Sequence, residues 1–204
     1  RSREEYHFTG LDFDGIGSGV SEMFESHPAL GVSARYDGPT QAFVAGYVTH
    51  LIADEIWITD MYRPYFGDRA VFQDAAFGLV MDRAMQLELD RQSWGAVEAA
   101  MAHVGEATDG VSIGFISEDT LAAWRQRVMK SLGRGFDWER LRSMAGRIAG
   151  GEEAHPAHRI AGAFIETLPD SLEELYRLGP ALRLTTFRER TVRALVDALR
   201  EYLP

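Results

Sequence analysis

The chain predicts an all-α fold: a single-domain multi-helix bundle over residues 1–204, with a loop-rich start at 1–38. Three observations carry that expectation. Apolar residues recur at three- and four-residue spacing through most of the sequence. Capping residues, prolines and glycines punctuate those stretches at helical lengths. Strand candidates are few: VSIGFI at 111–116 is the best and stands alone, and an isolated short strand cannot make a sheet.

The elements follow in order. Asp37-Gly38-Pro39-Thr40 is a turn that starts a helix, since proline is tolerated in a first turn. Its periodicity runs to about Tyr62, where Arg63-Pro64 stops it. A second helix is predicted from about Arg69 to Arg91, and a shorter third from Trp94 to His103. Ser117 caps LAAWRQRVMKSL, which Gly133 closes. Asp137 opens WERLRSMAGRIAG, ending at Gly150-Gly151. Pro156 precedes AHRIAGAFIETL, Asp170 or Ser171 caps SLEELYRL, and the last helix runs from about Leu182 to Tyr202.

Composition narrows the function classes. A hydrophobic fraction of 46% and a formal net charge of -10 are those of a globular protein that a phosphate backbone would repel, which argues against non-specific nucleic-acid binding. No stretch approaches the roughly 18 consecutive apolar residues of a membrane span. There is no cysteine, so disulfides, thiolate metal sites and cysteine nucleophiles are excluded, and any metal must be held by His, Asp, Glu or backbone oxygen. The chain opens RSREEYHF with neither an initiator Met nor a visible signal peptide. The expectation is a cytoplasmic protein with native residues preceding Arg1.

The stretch GYVTHLIADEIW (46–57) concentrates the chemistry. On a helix, Phe43, Tyr47, His50, Asp54, Trp57 and Met61 share one row, while Val44, Val48, Ile52 and Ile56 lie opposite. A helix apolar nearly all round is normally buried, and a buried carboxylate must meet a cation, several donors or a proton. Two readings are open. Asp54 accepts from an arginine on a neighbouring helix while His50 donates to a carbonyl, or both side chains converge on one metal ion. Gly46, one turn before His50, leaves room for an ion or another backbone.

Other patterns carry less. Leu11-Asp12-Phe13-Asp14-Gly15 looks like the nucleophile loop of a dehalogenase-type phosphatase, but that loop needs a preceding parallel strand, so Asp12 and Asp14 read as turn or cap residues. Gly15-Ile16-Gly17-Ser18-Gly19 resembles a fragment of a phosphate-binding loop without its strand or lysine, and reads as a flexible loop. His155 and His158 mark an exposed helix start, His27 a helix terminus, and His103 a charge at a helix C-terminus. Asp82 with Arg83, and Asp90 with Arg91, read as ion pairs. Trp94, Trp124 and Trp138 are expected as core anchors.

Taken together, REEYHF, GYVTHLIADEIW, YRPYFG (62–67), MDRAMQLELDR (81–91) and FISEDTLAAWR (115–125) resemble the zinc-dependent phospholipase C-like family of bacterial helical proteins, in scattered motifs over roughly residues 3 to 125. The resemblance implies the phospholipase C and nuclease type of helical fold. It implies His7, His50 and Asp54 as metal ligands, one to three zinc ions, and a metal-bound water as nucleophile, with Asp54 available as proton acceptor. The substrate it implies is a small-molecule or lipid phosphodiester. Apart from the resemblance, Asp82, if buried near His50, is the first candidate carboxylate to accept from its other nitrogen, since metal-bound histidine commonly donates that nitrogen to a carboxylate. The family's second His-x-x-x-Glu pair has no counterpart: Glu106 follows His103 by three, and His155 and His158 are also three apart. The alternative is a helical scaffold, or a non-hydrolytic metal binder, that keeps the fold with an incomplete site.

Overall fold

The computed structural model describes residues 3–67, 74–104, 110–178 and 181–203. Among these, the secondary structure is entirely helical: α1 (Glu4–His7), α2 (Ser18–Ser26), α3 (Gly38–Trp57), α4 (Ala75–Val104), α5 (Glu118–Leu132), α6 (Arg140–Ile148), α7 (Pro156–Glu166), α8 (Asp170–Leu178) and α9 (Ala181–Tyr202), with short 3-10 turns at Pro28–Gly31 and Ser33–Arg35 and a π-helix at Ile58–Phe66. The all-α expectation is met. No helix in the described residues is long and apolar enough to cross a membrane.

The chain divides into two compact units, each assembled from separated segments. The first comprises 1–58, 100–131 and 187–204, and the second 59–99 and 132–186. In the first, α3 is the central element. Asp37 caps it by accepting from the Thr40 amide at 3.0 Å. Its buried side, Val44, Val48, Leu51, Ile52 and Ile56, joins Met23, Leu30, Val111, Ile113, Leu121 and Tyr202 in one apolar core. In the second unit α6 packs against α7 and α7 against α8. There Leu141, Ala145, Ile160, Ala161, Phe164 and Leu175 are buried.

Several local expectations are corrected. The loop-rich start expected at 1–38 holds more helix than that: α1, α2 and both 3-10 turns. Val111 and Ile113 are core residues, as a strand would make them, but VSIGFI is irregular and has no strand partner among the described residues. The two helices predicted on either side of Gln92 are one: α4 runs through, and among the described residues no other segment crowds Gly95. Asp74 opens it, accepting from the amides of Ala76 and Phe77, while the predicted start at Arg69 lies outside the described residues. Arg63-Pro64 does not end its helix. The backbone widens to a π-helix that contains Pro64 and closes with Gly67 N–H donating to the Tyr62 carbonyl five residues back.

Candidate functional site

Two elements of the first unit bring the site together. On α3, one turn separates His50 from Asp54. Arg3, at the N-cap of α1, and His7, at its end, stand one turn apart, so this short segment presents a cation and an imidazole to the same stretch of α3. The chain leaves α1 through Phe8, whose φ of +62° is a left-handed conformation rarely adopted by a bulky residue. That turn sends the Phe8 ring against Phe115, Tyr47 and His27, in edge-on contacts that pin α1 above α3.

The imidazoles of His7 and His50 meet, Nε2 to Nε2, at 3.2 Å. His7 Nδ1 lies 3.3 Å from the Arg3 carbonyl, an acceptor only, which assigns the His7 proton to Nδ1 and leaves its Nε2 lone pair facing His50. Two nitrogens about 2.0–2.1 Å from one tetrahedral zinc lie roughly 3.3 Å apart, so the pair fits a shared ion as well as it fits a hydrogen bond. Both groups are held below the ordinary histidine pKa. For each, loss of solvation is the largest cause and the Arg3 charge adds to it, with Asp54 pulling the other way. His50 is exposed, so for it the bias toward the neutral ring comes from neighbouring protein and not from enclosure in the core.

Asp54 meets a cation already. The Arg3 guanidinium donates to its Oδ2 in a partly buried ion pair. The reading in which Asp54 takes an arginine therefore matches the geometry, whereas His50 finds an imidazole instead of a carbonyl. Among the described residues no group of three or more His, Asp or Glu side chains is placed to hold a metal together.

No family model, no curated protein and no solved structure matches this chain. The site is therefore read from its own chemistry.

The carboxylate that α3 buries is Glu55, one residue beyond Asp54 and only 1% exposed. Its Oε1 accepts from the Gly19 amide at 2.6 Å and its Oε2 from the Gly17 amide, both at the N-terminus of α2. This corrects the reading of GIGSG as a flexible loop. The stretch does cradle an anion with backbone N–H groups, and the chain supplies the anion itself. Glu55 lies outside the His50–Asp54 row, about 100° around the helix from Asp54, so the row itself does not point to it. The available signal was a second carboxylate inside an apolar run, with a glycine-rich N-terminus free to meet it.

Beside the imidazoles opens a cleft of about 1010 Å³. Phe43, Tyr47, Ile116, Trp124 and Val128 give it a largely apolar wall, and among the described residues no other segment comes near the missing side chain of Gly46. Arg125 and Arg127 also line it. Trp124, expected in the core, is 55% exposed: Leu121 is the residue that α5 buries, and the indole one turn further on faces the cleft. Burial pushes the Tyr47 hydroxyl up to about 12, and it donates to the Tyr6 carbonyl at 2.5 Å, bracing α1 against α3.

The remaining candidates settle into structural roles. His155 caps α7, its Nδ1 accepting from the Ala157 amide, and His27 ends α2 with its ring stacked on Phe115. Asp12 and Asp14 are exposed between α1 and α2. In the second unit Asp82 is buried and accepts from Gln86, in addition to its ion pair with Arg83. Arg91 pairs with Glu88 rather than with the expected Asp90; Gln92 and Tyr176 also donate to Glu88. Glu106 lies outside the described residues. Trp94 and Trp138 pack on Phe136.

Proposed function

We propose that this protein is a metal-dependent hydrolase of the phospholipase C type, acting on a phosphodiester carried by a small amphiphilic molecule. The observation that supports it is the 3.2 Å approach of His7 Nε2 to His50 Nε2 at the wall of an apolar cleft. Both rings are biased to the neutral form that ligates metals, and His7 gives its other N–H to a carbonyl, as metal-binding histidines do.

His7 and His50 would hold a zinc ion, with Asp54 joining when it exchanges Arg3 for the metal. Bound there, zinc would polarise a phosphoryl oxygen and make water a nucleophile near neutral pH. The remaining tasks fall to the protein. Phe43, Tyr47 and Trp124 take the apolar part of the substrate and exclude water. Released from Asp54, the Arg3 guanidinium is free to bind a phosphoryl oxygen in its planar fork.

The Arg3–Asp54 ion pair favours a second reading, a non-catalytic scaffold in which arginine permanently takes the place of a metal. Zinc content of protein purified without added metal separates the two. The hydrolase reading expects near-stoichiometric zinc, lost in His50→Ala, and release of nitrophenol from a bis-nitrophenyl phosphodiester, lost in Asp54→Asn. Less than about 0.1 zinc per chain, unchanged by His50→Ala, would sink it and leave the scaffold.

A further inference from the structure

We propose that Glu55 is a positioning residue, which acts through Gly19 to set where His7 stands over His50; its consequence for metal affinity rests on the reading of these histidines as ligands. Glu55 is buried and does not line the cleft, so it has no access to substrate. What it holds is the start of α2, through the Gly17 and Gly19 amides. Gly19 in turn is the floor for His7. A methyl group added at Gly19 would stand 2.7 Å from the His7 carbonyl oxygen, closer than such atoms approach, and in a tight 3.0 Å contact with Glu55 Oε1. Two backbones and one carboxylate therefore meet around a residue that must be glycine.

The arrangement indexes both imidazoles on the same helix. His50 is fixed directly by α3. His7 is fixed by α3 at second hand, from Glu55 to the α2 N-terminus to the His7 carbonyl. A buried carboxylate satisfied by two amides is rigid, because leaving either donor or acceptor unpaired in the core is costly. Small displacements matter for the pair: ligand geometry tolerates only a few tenths of an ångström about the metal–nitrogen distance.

The test uses Gly19→Ala and the isosteric Glu55→Gln, with two controls. Gly15→Ala lies in the same loop, where an added methyl meets nothing within 4 Å. Ile56→Val trims the core side of α3 and weakens the fold without touching the clamp. Two properties are read: the nuclear Overhauser effect between the His7 and His50 ring protons in zinc-free protein, and zinc affinity by competition with a chromophoric chelator. Gly19→Ala and Glu55→Gln are expected to weaken the Overhauser effect and lower zinc affinity at least tenfold, while both controls keep both. If Gly19→Ala does not fold, Glu55→Gln alone decides. An Overhauser effect unchanged in both clamp variants overturns the proposal even if zinc binds. An effect abolished in those variants, with a wild-type protein that takes up no zinc, leaves the positioning role standing and removes the metal reading instead.

Discussion

Arg3, at the N-cap of α1, forms an ion pair with Asp54 on α3, one turn from the paired imidazoles of His7 and His50. Four polar side chains thus make two rungs between the same two helices. Each rung acts on the other through charge: Arg3 disfavours protonation of both imidazoles, and Asp54 favours it. The first prediction follows. Arg3→Gln is expected to raise the pKa of His7 and of His50, and Asp54→Asn to lower both, as read from ring-proton chemical shifts across a pH titration of zinc-free protein.

Stability should fall in acid through the same pair. Both histidines have folded-state pKa values below the ordinary 6.5, so between that value and the folded pKa the unfolded chain binds more protons. Their contribution is fully present above about pH 6.5 and is lost as pH falls through the lowered values. The melting temperature of zinc-free protein is expected to drop from pH 7 to pH 5, with a shallower slope in the double variant His7→Ala, His50→Ala.

In the second unit, Glu88 is 1% exposed and receives Arg91, Gln92 and Tyr176. Burial pushes its pKa up, but those donors together outweigh it and hold the carboxyl below its usual 4.5. Its share of stability is present above that pH and lost as pH falls through the lowered value. Glu88→Ala takes the acceptor from the Tyr176 phenol and from the Arg91 guanidinium, which at 47% exposure is open to water, and should cost about 1–3 kcal/mol, whereas Glu88→Gln, which keeps an acceptor, should cost about half as much. Urea titration monitored by circular dichroism measures both.

Trp124 should separate binding from folding. Removing an indole that is 55% exposed is expected to change stability by no more than about 0.5 kcal/mol. It should also weaken binding of a short-chain phosphodiester amphiphile about tenfold, since Trp124 forms part of the apolar wall. Calorimetric titration below the micelle concentration reads the affinity, and an unchanged value would remove the cleft from the substrate site.

Ile56 provides the contrasting case. It is fully buried on the core side of α3, so Ile56→Ala should cost about 2–5 kcal/mol through lost burial and the cavity left behind. A loss below about 1 kcal/mol in urea titration would contradict the central place given to this helix.

How far the sequence reaches is clearest on α3. Its start at Asp37, its buried side and the shared row of His50 and Asp54 all follow from spacing, because a helical period is a property of the chain alone. The prolines that follow His27 and His155 place both at helix ends. Spacing fails where a local signal is overridden. Pro64 is absorbed by widening the backbone to a π-helix, and a short apolar run that looks like a strand packs into the core as irregular chain.

Partners are another matter. That Asp54 needs a cation or donors follows from the sequence; that Arg3 supplies the cation does not, since residues 51 positions apart meet only when α1 lies across α3. The same holds for the carboxylate that is truly buried. Asp54 and Glu55 are adjacent and chemically alike, and a rotation of about 100° around the helix separates a partly exposed ion pair from a buried clamp. The sequence by itself determined which residues share a helix and a side of it. Tertiary structure alone decided which of them touch, because side-chain pairing between distant segments depends on how helices pack, and no period along one chain encodes that.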